Sequence, residues 1–153
     1  MARLLPDDFK EFLKLCNRKR VRYLLVGGYA VSHDGYPRAT ADMDLWVESS
    51  PANAARLVAA LKEFGYGVEA LSEELFLKPD QIVRMGVPPF RIEIATTISG
   101  VDFADCYRRR ISATIDGITV PVIHLADLRR NKQAAGRYKD LDDLENLPPA
   151  GDS

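Results

Sequence analysis

The sequence predicts an α/β fold: a mixed β-sheet flanked by helices. Three observations lead there. The apolar patterns run helix, strand, helix, strand, helix, then strands, then two closing helices, an order that suits helices packed on a sheet. Asp116-Gly117 separates two short β-branched runs, and that dipeptide favours a two-residue turn, so at least one strand pair is antiparallel. The length of 153 residues fits one domain, expected over 1–147, with 148–153 as a loose tail.

Residues 6–19 carry Phe9, Phe12, Leu13 and Cys16 at helical spacing. Pro6 suits the first turn, and Asp7 and Asp8 suit its positive end. Arg18, Lys19, Arg20 and Arg22 mark the helix end and read as a solvated rim. Tyr23–Val26 is a continuous apolar run stopped by glycine, as expected of a strand covered on both faces. Gly28–Asp34 reads as a short helix, residues 35–40 as loop and Asp42–Glu48 as a strand. Ser50 as cap and Pro51 in the first turn open a helix through Phe64, with a stripe of Ala55, Leu57, Val58, Leu61 and Phe64. Gly65 and Gly67 end it.

Residues 72–78 give no clear period. Gln81–Val87 and Phe90–Thr96 read as a strand pair around Pro88-Pro89, the second placing Ile92 and Ile94 on one face and Arg91 and Glu93 on the other. Asp102–Arg109 is a short helix. Strands Ile111–Ile115 and Ile118–Val122 flank the Asp-Gly turn, and helices Leu125–Ala135 and Tyr138–Leu147 close the chain on either side of Gly136.

Composition narrows the function. The net charge of −1, from 21 basic and 22 acidic residues, argues against bulk electrostatic capture of nucleic acid. Cys16 and Cys106 lack metal-ligand spacing; a reduced, cytoplasmic chain is the simplest account, with one disulfide between them as the alternative. No apolar run approaches the roughly 18 residues of a spanning helix, and Asp7, Asp8, Lys10 and Glu11 interrupt any signal-peptide pattern. No membrane association is expected.

The chemistry concentrates between Gly27 and Val47, with one contribution from downstream. Asp42 and Asp44 lie two apart on a strand and so share a face. Carboxylates so placed repel unless something positive separates them, and a hard divalent cation is the economical partner. Taken alone, Asp-x-Asp reads first as an exposed strand end with two solvated aspartates. Gly27-Gly28 lets the backbone approach a ligand closely where a helix opens. Arg38 and Thr40 lie just before the carboxylates, where Arg38 suits a phosphate oxygen or a salt bridge to Asp34 or Glu48. Glu93 is a charged residue in an apolar strand, which suggests a ligand or a salt bridge to Arg84 or Arg91. His33 and His124 have no metal-ligand companion and read as surface or cap residues. Tyr29, Tyr36 and Trp46 read as packing aromatics.

These residues together resemble the DNA polymerase β-like nucleotidyltransferase superfamily. The likeness rests on Gly27-Gly28, Asp42-Met43-Asp44-Leu45 and Glu93. It extends through GGYAV, Gly35, Arg38 and Thr40 to the closing Gly136-Arg137-Tyr138-Lys139-Asp140-Leu141-Asp142-Asp143-Leu144. The chain is most similar to the small single-domain bacterial branch related to abortive-infection (AbiEii-type) toxins, and less to lincosamide nucleotidyltransferases.

The resemblance implies a nucleotidyltransferase fold with short C-terminal helices. It implies transfer of a nucleoside monophosphate from a nucleoside triphosphate to an acceptor hydroxyl on a small molecule, RNA or protein, with pyrophosphate leaving. Two Mg2+ ions are expected, with Mn2+ as a substitute, held by Asp42, Asp44 and Glu93. Gly27, Gly28, Arg38, Thr40 and Lys132 are the implied nucleotide contacts, though Lys132 also reads as a solvated helix lysine. A partner antitoxin and a homodimer are further expectations. Two departures stand out: Gly28 replaces the serine many members carry, and Glu93 is one methylene longer than the usual aspartate. The competing reading is a catalytically weak nucleotide- or partner-binding domain of the same fold, such as a toxin–antitoxin component.

Overall fold

Local chemistry sets most element boundaries in the computed structural model, which describes residues 5–34, 42–66, 71–86 and 90–149. The elements are α1 (Asp7–Arg18), β1 (Tyr23–Val26), α2 (Gly27–His33), β2 (Asp42–Val47), α3 (Pro51–Phe64), β3 (Ile82–Met85), β4 (Arg91–Ala95), α4 (Phe103–Arg108), β5 (Ile111–Ile115), β6 (Ile118–Val122), α5 (Leu125–Ala135) and α6 (Tyr138–Asn146). The Ser50 hydroxyl accepts from the Asn53 N–H at the start of α3, and Gly65 closes that helix in the left-handed region. The Asp102 carboxylate caps α4 by accepting from the Asp105 N–H. His124 caps α5, its Nδ1 accepting from the Ala126 N–H at 3.0 Å. Asp116 and Gly117 both take positive φ, the conformation an Asp-Gly turn supplies between β5 and β6. The stretch without clear period becomes a 3-10 turn, Glu73–Leu77, around buried Phe76.

The six strands form one sheet in the order β3-β4-β2-β1-β6-β5. β1 runs antiparallel to β2 and parallel to β6, and β2 runs parallel to β4. The hairpin-like pairs β3/β4 and β5/β6 form the two edges. Every residue of β1 is buried, as its unbroken apolar run requires. β4 alternates instead: Ile92 and Ile94 are buried, while Arg91 and Glu93 face a partly open surface.

One part of the expected α3 stripe is displaced. Ala55 is exposed, while Asn53 and Ala54 turn inward. Asn53 explains the shift. Its Oδ1 accepts from the Arg22 N–H at 2.7 Å, and its Nδ2 donates to the Arg22 and Glu48 carbonyls at 3.0 and 2.9 Å. A buried amide with those bonds made joins α3 to the start of β1 and the end of β2. Cys16 and Cys106 are free and buried. Among the described residues no helix is long and apolar enough to cross a membrane.

Candidate active site

The site forms where β1 ends and β2 begins. Antiparallel pairing sets Val26 opposite Asp44, so the first turn of α2 rises directly beside that carboxylate. In β2, Met43 and Leu45 are buried while Asp42 and Asp44 share the opposite, half-buried face. The parallel neighbour β4 then sets Arg91 beside Asp42 and Glu93 beside Asp44. Acidic residues about 50 positions apart in sequence thus become lateral neighbours on one face of the sheet.

Electrostatics follows from that register. Asp44 and Glu93 share a side-chain hydrogen bond, and the Asp44 carboxyl is pushed up to about 7. Burial is the largest cause, followed by the charge and hydrogen bond of Glu93 and the charge of Asp42; Lys139 pulls the other way. Arginines sit on the other two carboxylates. Arg91 donates to Asp42 through Nε and Nη2 at 3.4 and 3.3 Å, and Arg84 donates to Glu93 through Nε at 2.9 Å. The salt bridge to Arg84, one of the alternatives the sequence left open for Glu93, is therefore present.

Gly27 is held to glycine twice over. Its φ is +68°, and a Cβ there would run into the Asp44 carboxylate, 2.9 Å from Cγ. Gly27→Ala is expected to destabilise the fold by about 2 kcal/mol and to displace Asp44. Chemical denaturation checks the first effect, and divalent-ion titration checks the second. An alanine variant with parental stability and ion affinity would contradict this packing.

The cleft over these residues has a volume of about 620 Å³. Its far wall comes from α5, α6 and the turn between them, which contribute Asn131, Lys132, Arg137 and Lys139. Lys132 lines the cleft, but its ammonium lies 3.1 Å from both Asp140 Oδ1 and Asp143 Oδ2, with the side chain almost fully buried. The solvated helix lysine is thus replaced by a buried ion cluster. Arg137 completes it, with Nε 2.7 Å from Asp140 Oδ2. Burial would raise the Asp140 carboxyl, but the bonds from Arg137 and Lys132 hold it below the usual range. The cluster joins α5 to α6 and so presents Lys139 to the carboxylates.

Of the other residues singled out by sequence, Gly27 lines the cleft and Gly28 is buried in the first turn of α2. Arg38 and Thr40 lie outside the described residues. Lys139, Arg84 and Arg91 are cleft residues that sequence reasoning did not assign. Arg84 and Arg91 had appeared only as salt-bridge partners. Lys139 carried one available signal: it precedes Asp140, so once Asp140 turns inward its neighbour points elsewhere on the helix.

The donor set suits a hard divalent cation, since three carboxylates from adjacent strands face one cleft and Asp44 is repelled there by both Glu93 and Asp42. Among the described residues no three His, Cys, Asp or Glu side chains are already gathered around one point. Asp42 and Glu93 would have to leave their arginines to complete such a set.

The raised Asp44 carboxyl gives a signed pH dependence. Its folded value of about 7 lies above the ordinary 3.8, so the unfolded chain releases this proton first. In metal-free buffer the Asp44 contribution to stability is therefore lost as pH rises from about 4 to about 7. Asp140 and Asp127 shift downward, so their contributions fade only below the ordinary carboxylate range. The melting-temperature advantage of Asp44→Asn over the parent is expected to be larger at pH 8 than at pH 5. An equal offset at both values would rule the shift out.

Comparison with solved structures bears on the fold. A candidate nucleotidyltransferase from Thermotoga maritima matches with a TM-score of 0.65 at 14% identity, over 94% of each chain. The nucleotidyltransferase fold is the fold of this chain. A lincosamide antibiotic adenylyltransferase with lincomycin bound shares the nucleotidyltransferase fold with a TM-score of 0.56 at 12% identity, over 97% of this chain and 99% of that one. An antigenic nucleotidyltransferase-like protein from Paracoccidioides brasiliensis matches at 0.54 and 21% identity, over 95% of this chain and 77% of its own. No protein-family model matches the chain, and no curated protein sequence does either.

Proposed function

We propose that this nucleotidyltransferase-fold chain is a magnesium-dependent nucleotidyltransferase. It moves a nucleoside monophosphate from a nucleoside triphosphate to an acceptor hydroxyl. The observation that carries this reading is the lateral placement of Asp44 and Glu93 on parallel strands, with Asp42 on the same face and the Gly27 turn alongside. An adenylyltransferase among the fold neighbours supports the reaction class.

In this reading Asp42, Asp44 and Glu93 are the metal-binding carboxylates, with Mn2+ able to replace Mg2+. Two divalent ions, when bound, offset charge on the triphosphate and favour ionisation of the attacking hydroxyl. The chain's own groups do the rest. Gly27 and Gly28, lacking side chains, let phosphate oxygens approach the backbone at the start of α2. Lys139, on the far wall, supplies positive charge opposite the carboxylates. Glu93 accepts the acceptor's proton at a carboxylate oxygen. The acceptor oxygen then forms its bond to the α-phosphorus as the bond to pyrophosphate breaks. Arg84 and Arg91, freed from Glu93 and Asp42, are placed to take phosphate oxygens.

The test is incubation with labelled triphosphates and Mg2+, scoring pyrophosphate release and label transfer to candidate acceptors: small hydroxyl compounds, RNA and proteins. Absence of both products with every triphosphate would refute the enzymatic reading. A second reading, a weakly catalytic nucleotide- or partner-binding domain such as a toxin–antitoxin component, is favoured by one observation. Asp42 and Glu93 are both engaged by arginines. Triphosphate binding without turnover, unchanged by chelation, would select it. A cytoplasmic location and a homodimer belong to the same proposal.

A further inference from the structure

Arginine is unusually dense at the other end of β1. A second cleft, of about 590 Å³, is lined by Arg20, Arg22, Arg56 and Arg110 together with Tyr23 and Tyr107. It shares no lining residue with the carboxylate cleft. Chain segments far apart in sequence supply it: the turn after α1, the start of β1, α3 and the residues after α4. Among the described residues only Arg22 has an acidic partner, Glu48 at 3.3 Å. Arg110 donates to the Tyr107 carbonyl at 2.8 Å and lies 4.1 Å from the centre of its ring. Arg22 approaches the same ring at 5.6 Å.

All four arginines are exposed, and with Glu48 as the one carboxylate among them they leave the cleft net positive, a field that attracts an anion. Arg20 adds a backbone observation. Its φ is +59°, a region where glycine or asparagine is less strained, yet arginine stands there. Guanidinium forks match phosphate oxygens in pairs. A compact ligand fits better than a nucleic-acid strand, for two reasons. The cations gather around one concavity instead of running along a surface. The Tyr107 ring is stacked on Phe103 and covered by Arg110, which leaves no aromatic platform for a base.

We propose that this cleft binds a compact oligophosphate at a site separate from the carboxylate cleft. The proposal does not rest on nucleotidyl transfer. The probe is inorganic tripolyphosphate, titrated calorimetrically into the full chain in the presence of a chelator. ATP and a short single-stranded RNA are run as parallel arms.

Saturable binding of tripolyphosphate is expected, weakened about tenfold or more by Arg56→Ala and by Arg20→Gly, each of which removes one charge-assisted contact. Arg20→Gly also relieves the backbone, so its melting temperature should hold or rise while affinity falls. A merely structural arginine would not show that split. Asp44→Asn should bind as the parent does, which keeps this outcome distinct from failure of the enzymatic reading. Tighter binding of ATP than of tripolyphosphate would identify a nucleotide as the source of the phosphates. Absence of binding, binding insensitive to both arginine variants, or tighter binding of the RNA would each overturn the proposal.

Discussion

Asp44→Asn is expected to lower the rate of the proposed nucleotidyl transfer by about 10³-fold or more while leaving the fold intact. The rate estimate follows from removing a charged group that acts where charge develops, an effect worth about 4 kcal/mol. The fold should survive because the asparagine amide occupies the same volume and no longer repels Glu93 and Asp42. The folded chain now carries a half-buried carboxylate whose ionisation it opposes, and such groups cluster where function has been favoured over stability. Activity and stability should therefore move in opposite directions. Steady-state pyrophosphate release checks the first, and thermal unfolding at pH 8 without divalent ions checks the second. A variant that keeps more than about a tenth of parental activity would remove Asp44 from the mechanism.

Lys132→Met is expected to cost about 3–5 kcal/mol, because it leaves Asp140 and Asp143 buried without the ammonium between them. For a chain of this size that is a fall of roughly 6–20 °C in melting temperature. Replacing Asp143 with leucine in the same chain should recover part of the loss, since an apolar pair avoids the stranded charge. The two roles weighed for Lys132 predict different results. A phosphate-contacting lysine would leave the melting temperature nearly unchanged and weaken triphosphate binding. A cluster lysine lowers the melting temperature first, and loses binding only as α6 and Lys139 drift from the cleft. Circular dichroism melting of the single and double variants separates the two.

The secondary elements were legible because their signals are local. Ser50-Pro51 and Gly65 bracket α3, the unbroken run Tyr23–Val26 marks the most buried strand, and Asp116-Gly117 marks a hairpin. Within the candidate site, Asp42 and Asp44 could be put on one face from strand period alone, and Glu93 was conspicuous as a charge in an apolar strand. What sequence could not supply was each charge's partner. Ala55 was misplaced for the same reason: Asn53 turns inward only because Arg22 and Glu48, elsewhere in the chain, offer it backbone groups.

The sequence by itself determined the α/β class, the strand and helix inventory, and the candidate acidic and glycine residues, since period, caps and turns depend on neighbours within a few positions. Only the tertiary structure decided that β2 and β4 lie side by side in parallel, with Asp44 against Glu93, and that Lys132 is locked between two aspartates. It alone gathered four arginines from separate segments around one cleft, two of them over the Tyr107 ring. Register between strands far apart in the chain is set by how whole faces pack, and the protonation of a carboxyl is set by what that packing brings within a few ångströms.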